Sequence, residues 1–279
     1  MKLYPGKLRR NFQTIVSLAA IQWNYRSDFR FYSKTVKLGD VIFLSDPIVW
    51  DEGNHFSQMT ITFMAKAFHR MRSVKLLCRQ GQAKDAALIL RSMFEDLVDF
   101  KYMHEHKNEI IDFIEYDSYI RLKMGETLLR SGPPTIDRDR VEKRNDELRR
   151  QWNRVKHKFS YKDKKGKTRI HDRWTKASLR GTAQKVGLDS VYDFLYGYIS
   201  TSFEHSASIV GDNYILGRNG DNMTVSVGAT EEFVREVLTS ARGIFLDMLG
   251  IVNEEYKLGF DEKLNRLGIK PTPEIPLEN

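Results

Sequence analysis

The sequence predicts an all-α protein, an antiparallel helical bundle carrying one or two small β-hairpins. Three observations predict it. Apolar residues recur at three- and four-residue spacing through most of the chain. Gly and Pro fall between those runs. Apolar–polar alternation is confined to short stretches, the clearest flanking Asn219-Gly220-Asp221-Asn222. With 279 residues, 41% of them hydrophobic and 11% aromatic, the chain can bury one large core or two smaller ones.

The first helix is expected over 8–26, where apolar residues at 8, 12, 15, 16, 20 and 23 keep a helical period. Lys7, Arg9 and Arg10 ahead of Ile15–Ile21 resemble a short signal peptide, but Asn11 and Gln13 interrupt it. Residues 34–50 read as irregular or extended, with Val41-Ile42-Phe43-Leu44 as a short strand. From 56 to 79, Met59, Phe63, Met64, Ala67, Phe68, Met71, Val74, Leu77 and Cys78 mark a helix that Gly81 ends. A second helix over 84–104 follows on Ala87, Leu90, Met93, Phe94, Leu97, Val98 and Tyr102. The short link implies an antiparallel hairpin of helices.

A third helix spans 108–129 and stops at Ser131-Gly132-Pro133-Pro134. A polar helix over 138–158 follows, then a hairpin-like loop centred on Gly166. Helices resume at 174–186 and 190–205. A β-hairpin is expected over 214–227. A last helix runs from a Thr230 cap to about Lys257. These readings divide one domain into 1–136, a basic insertion at 137–173, 174–258, and an extended, proline-rich tail at 259–279.

Charge is the sharpest signal. From Arg138 to Arg180 there are 17 Lys or Arg against 6 Asp or Glu, a net of +11 in a protein whose total is +8. Such a segment sets up a local field for polyanions, of which nucleic acid is the commonest. Arg149, Arg154, Lys156, Lys158, Lys162, Lys164, Lys165, Lys167 and Arg169 are the expected phosphate contacts. Trp152, Phe159, Tyr161 and Trp174 lie among the cations, and aromatics of this kind stack on unpaired bases. RNA is therefore expected ahead of DNA.

Other chemistries are missing from the sequence. No apolar run approaches the roughly 18 residues needed to cross a bilayer, and the basic segment has no apolar face to insert. No Cys-x-x-Cys, His-Glu-x-x-His, glycine-rich phosphate loop or Gly-x-Ser-x-Gly occurs. His104-Glu105-His106 reads as a surface feature, and no metal or other cofactor is expected. The one cysteine, Cys78, lies on an apolar helical face, reads as a small buried hydrophobe and suits a reducing compartment, so a cytoplasmic protein is expected.

A polar cluster falls where core is expected. Arg91 and Glu95 share a helical face between Leu90, Phe94 and Leu97 and can pair. His205 ends a later aromatic-rich stretch, among Ser202, Ser206 and Ser208. Asp85-Ala86, Leu90-Arg91-Ser92 and Glu95, followed by Tyr192–Ser200 and then His205 with Ser206 or Ser208, resemble the signature of a bacterial family of helical proteins of unknown function. That resemblance implies an all-helical fold and a grouping of Arg91, Glu95 and His205, and it implies no activity. Such a group can hold an anion with its arginine and move a proton with its histidine, or it can fix how two helices meet.

Arg150 and His157 lie seven apart, two helical turns on one face. They loosely resemble the Arg-x(4–6)-His motif of the HEPN ribonucleases, helical proteins common in toxins and phage defence. The resemblance implies metal-independent RNA cleavage. His157 would take the 2′-hydroxyl proton and Arg150 would stabilise charge on phosphorus. Three functions are thus open: an RNA-binding protein with or without such cleavage, a non-catalytic homo-oligomeric interaction protein, and an enzyme or sensor that binds a small anion at Arg91 and His205.

Overall fold

A computed structural model describes residues 16–45, 48–196, 215–219, 222–225 and 229–268, with 215–219 and 222–225 described at the level of the backbone. The fold is an all-helical bundle with two small antiparallel hairpins. It divides into two compact units: residues 1–101 with 188–279, and Tyr102–Gly187.

In the first unit, α1 (16–24) leads into α2 (Arg26–Phe43). Residues 41–43 are thus the last turn of a helix, where a strand was expected. Phe29, Tyr32, Thr35, Gly39 and Ile42 are buried at helical spacing, and this stripe carries the helix through to Phe43. Gly39 is required there, because a Cβ would sit 2.6 Å from the Phe245 ring. α3 (His55–Arg79) starts where the Asn54 side chain accepts a hydrogen bond from the Ser57 amide, and it runs antiparallel to α4 (Ala83–Glu105). Lys66 and Arg70 of α3 pair with Asp96 of α4, and Arg70 also donates to the Ser92 carbonyl.

Gly81 makes that reversal at φ +69°. Its carbonyl accepts from the Thr230 amide, and a Cβ on it would meet Ala229 at 2.5 Å. The 229–233 segment is therefore tied down ahead of α9 (Val234–Tyr256). The expected Thr230 cap lies outside that helix, which begins after Phe233 in a left-handed conformation. Thr230 Oγ1 instead accepts from the Glu232 amide, and Lys84 pairs with Glu232 at 2.6 Å. α9 packs on α2 and α3 with Val234, Leu238, Ala241, Phe245, Leu249 and Val252 buried. Cys78 is fully buried, as its position on the apolar face predicts.

α8 (Asp189–Tyr192) runs into a π-helical turn over 193–196. The strands β3 (Ile215–Asn219) and β4 (Asn222–Val225) form the hairpin expected around Asn219–Asn222, pairing Arg218 with Met223. Within the expected tail, α10 (Asp261–Arg266) is helical and buries Leu264. Asn253 anchors it by donating to Asp261 and accepting from the Phe260 amide.

The second unit is wider than the basic segment. It comprises the end of α4, α5 (Ile110–Ser131), α6 (Arg138–Val155), the hairpin of β1 (Ser160–Lys162) and β2 (Thr168–Ile170), and α7 (Leu179–Lys185). α5 and α6 are antiparallel neighbours. They approach closely at Gly125, where a Cβ would lie 1.9 Å from the Asn145 side-chain oxygen. α6 is capped by the Asp137 side chain, which accepts from the Arg140 amide. Gly166 turns the hairpin at φ +73°. α7 begins at Leu179, later than expected, because Trp174 and Thr175 are buried in the preceding loop and Ser178 supplies the cap.

Candidate nucleic-acid interface

α6 is polar all round except for one narrow stripe. Asn145, Leu148 and Trp152 are buried, and Phe159 of the 3₁₀ turn that follows continues that side. At 100° per residue, Lys143, Arg150 and Arg154 point to the opposite side, and all three are exposed. Beyond the turn, Lys164, Lys165 and Lys167 surround the exposed tip of the β1–β2 hairpin.

The sequence-predicted cations fall into two groups. One group is held by the unit's own side chains. Lys158 reaches Glu115 at 2.6 Å and Asp112 at 3.7 Å, and the Glu115 hydrogen bond is the main reason its ammonium is held above the usual lysine range. Arg149 pairs with Asp146 at 2.8 Å and Glu126 at 3.5 Å. Arg169 donates to Asp163 at 3.0 Å, which together with the Lys167 and Lys165 amides lowers that carboxyl. Lys156 donates to Asn153, and Lys162 to Thr168. The second group is Arg150, Arg154, Lys164, Lys165 and Lys167, whose side chains have no carboxylate partner among the described residues, and Lys143, which the sequence did not single out, joins them.

The aromatic expectation needs correction. Trp152, Phe159 and Trp174 are core residues, only 6%, 0% and 4% exposed. Trp152 stacks on Tyr119 at 4.8 Å and on Phe159 at 5.7 Å, and Trp174 meets Tyr102 and Phe113 edge-on. Trp152 and Phe159 lie on the apolar side of α6 and the turn after it, and Trp174 is buried in the loop before α7, so none of the three offers a stacking surface. Tyr161 alone of the four is exposed, with its ring 4.6 Å from that of His171.

Arg150 and His157 do not lie on one α-helix. α6 ends at Val155, and His157 sits on the tighter 3₁₀ turn Lys156–Phe159. The two residues are exposed on consecutive elements, and a seven-residue α-helical repeat does not carry from one to the other.

In the first unit, Arg91 and Glu95 do come together, at 3.7 Å, with about a third of each side chain exposed. Tyr196, which sequence reasoning passed over, completes the group. Its hydroxyl donates to Glu95 and its ring lies 4.6 Å beneath the Arg91 guanidinium. Burial, followed by the Glu95 hydrogen bond, raises the Tyr196 phenol well above its usual value. Tyr192 stacks on Tyr196 at 4.7 Å, and Phe94 flanks both rings. The π-helical turn brings Tyr192 and Tyr196 to one side, and i, i+4 aromatics at the end of a helix are the signal that could have found it. Arg91 is thereby held by a carboxylate and a ring. His205, with Ser202, Ser206 and Ser208, lies outside the described residues.

Among the described residues no group of three or more His, Cys, Asp or Glu could hold a metal ion, and no helix is long and apolar enough to cross a membrane. Fold and surface thus define a class: a helical protein with one cation-rich unit and a tyrosine-backed Arg–Glu pair. Residues 58–223 match the family of unknown function DUF5677, and the chain belongs to that family. No curated protein and no solved structure gives a significant match.

Proposed function

We propose that the protein binds nucleic acid, single-stranded RNA ahead of DNA, through the outward cations of the 102–187 unit. The observation that carries this reading is the set Lys143, Arg150, Arg154, Lys164, Lys165 and Lys167, all in solvent and unpaired with carboxylates among the described residues. The unit holds 22 Lys or Arg against 13 Asp or Glu, a net of +9, so the rest of the chain sums to −1. A field of that sign attracts phosphate chains, and each neutralised phosphate releases counterions. Tyr161 beside Lys162 supplies one exposed ring for an unpaired base.

The test is RNA affinity, by fluorescence anisotropy, against salt concentration. For Lys164→Gln/Lys165→Gln/Lys167→Gln, the slope of log K against log[salt] should flatten by about 2, at roughly 0.7 per lost single-strand phosphate contact. A slope unchanged by the triple variant sinks the reading. Chelator-resistant cleavage lost in both Arg150→Ala and His157→Ala would extend it to the HEPN-like ribonuclease chemistry.

A second reading, homo-oligomerisation, has its own observation. Ile120, Met124 and Leu128 form an exposed apolar row one turn apart on α5. Light scattering that gives a concentration-dependent mass, lost in Met124→Glu, supports it. A single mass of one chain at all concentrations removes it.

A further inference from the structure

The first unit holds a concentration of cations that no run in the sequence reveals. Arg26, Arg30, Lys34 and Lys37 recur along one side of α2, and Arg79 of α3 faces them across a groove of about 670 Å³. Gln22 and Ser33 add polar groups, and Phe29 forms part of the floor with the Arg79 guanidinium 5.3 Å over its ring. Lys75, half-buried on α3, donates to Ser33 Oγ at 2.8 Å and so reaches the same wall.

None of these six cations pairs with a carboxylate among the described residues. Asp28, on the same helix, pairs with Arg235 at 3.5 Å and lines a different cavity. Burial, then the neighbouring charges of Arg79 and Lys37, push the Lys75 ammonium below its usual range. Unpaired like charges brought together in a groove repel one another, and an anion placed among them removes that cost. From Arg26 to Lys37 the row spans eleven residues, about 16 Å at 1.5 Å each, the reach of a chain of several phosphates. Next to it, Trp23 is 76% exposed and lines an adjoining cavity that Arg26 and Arg30 share. A large exposed ring beside two guanidinium groups offers a base a stacking surface.

We infer that this groove binds a nucleoside oligophosphate, with the phosphates along Arg26, Arg30, Lys34 and Lys37 and the base against Trp23. A volume of about 670 Å³ falls within the usual range for small-ligand sites.

The test is calorimetric titration of the full chain with ATP, tripolyphosphate and orthophosphate, without divalent cations. ATP and tripolyphosphate should bind, with orthophosphate about ten-fold weaker or more. The exposed-residue variant Arg30→Gln/Lys34→Gln should weaken both chain ligands about ten-fold or more, since charge-assisted hydrogen bonds are lost. Trp23→Ala should weaken ATP and leave tripolyphosphate unchanged. Lys164→Gln/Lys165→Gln/Lys167→Gln should leave both unchanged, which separates this site from the RNA reading. The inference is overturned if neither chain ligand binds, if binding persists in Arg30→Gln/Lys34→Gln, or if that variant loses RNA affinity alone. Equal loss of ATP and tripolyphosphate in Trp23→Ala overturns the placement of the base.

Discussion

The two units use cations in opposite ways. In residues 102–187 positive charge is dense in sequence and spread on the outside, along α6 and around the β1–β2 tip. In the other unit net charge is near zero, yet α2 and α3 gather six cations around one groove. The first arrangement suits a long phosphate backbone that slides over a surface, and the second suits a ligand held at one place. Charge density along a chain therefore finds the first kind of surface and misses the second, which exists only because two helices pack side by side.

The comparison breaks most visibly at the aromatic residues of the basic unit. Trp152→Ala should destabilise by about 3–5 kcal/mol, the cost of emptying a packed aromatic site. Arg154→Ala, one half-turn away and exposed, should change stability by less than about 0.5 kcal/mol while weakening RNA binding. Chemical denaturation checks both. A Trp152→Ala protein of full stability that loses RNA binding would return that ring to the role of a stacking platform.

Next in size is Gly81→Ala in the first unit. An alanine forced to φ +69° costs about 1–2 kcal/mol, and its Cβ collides with Ala229. The midpoint of unfolding should fall accordingly, and an unchanged midpoint would show that the 229–233 segment yields freely. Tyr196→Phe should cost about 0.5–1.5 kcal/mol for the hydrogen bond lost to Glu95. If the Arg91 group is purely structural, that is its whole effect.

The smallest expected effect is a pH dependence at Asp247 on α9. Burial of the carboxyl among its neighbours pushes it up to about 6, with Lys101 offsetting part of the rise. The residue as a whole is exposed, so solvent screens the carboxyl and keeps the effect on stability small. A folded-state value raised above the unfolded one gives stability that is present at low pH and lost as pH rises through about 6. Asp247→Asn should therefore raise the melting temperature at pH 7.5 and have little effect near pH 4. Equal shifts at both pH values would contradict this.

Much of the helical bundle was legible because its stripes are long. α3, α4 and α9 each carry apolar residues at three- and four-residue spacing over at least six turns, and Gly81 punctuates the reversal. α2 was misread at its end because Val41 and Ile42 favour strands locally, while the contact that fixes the helix, Gly39 against Phe245, joins residues some two hundred positions apart. In the candidate interface, the cations were legible and the aromatics were misassigned. A polar helix needs a few large rings to anchor it, so rings among cations are expected at its buried stripe as much as at a binding surface. The pairing of Arg91 with Glu95 followed from i, i+4 spacing, but Tyr196 lies a hundred residues away and reaches them only through the fold.

The most direct test of the outward-cation account is the salt dependence of RNA binding in Arg150→Gln/Arg154→Gln, two substitutions on the exposed side of α6. The account predicts a melting temperature equal to that of the unaltered protein and a slope of log K against log[salt] flatter by about 1.4, from roughly 0.7 per contact. A slope identical to that of the unaltered protein, or no RNA binding by either, would contradict it.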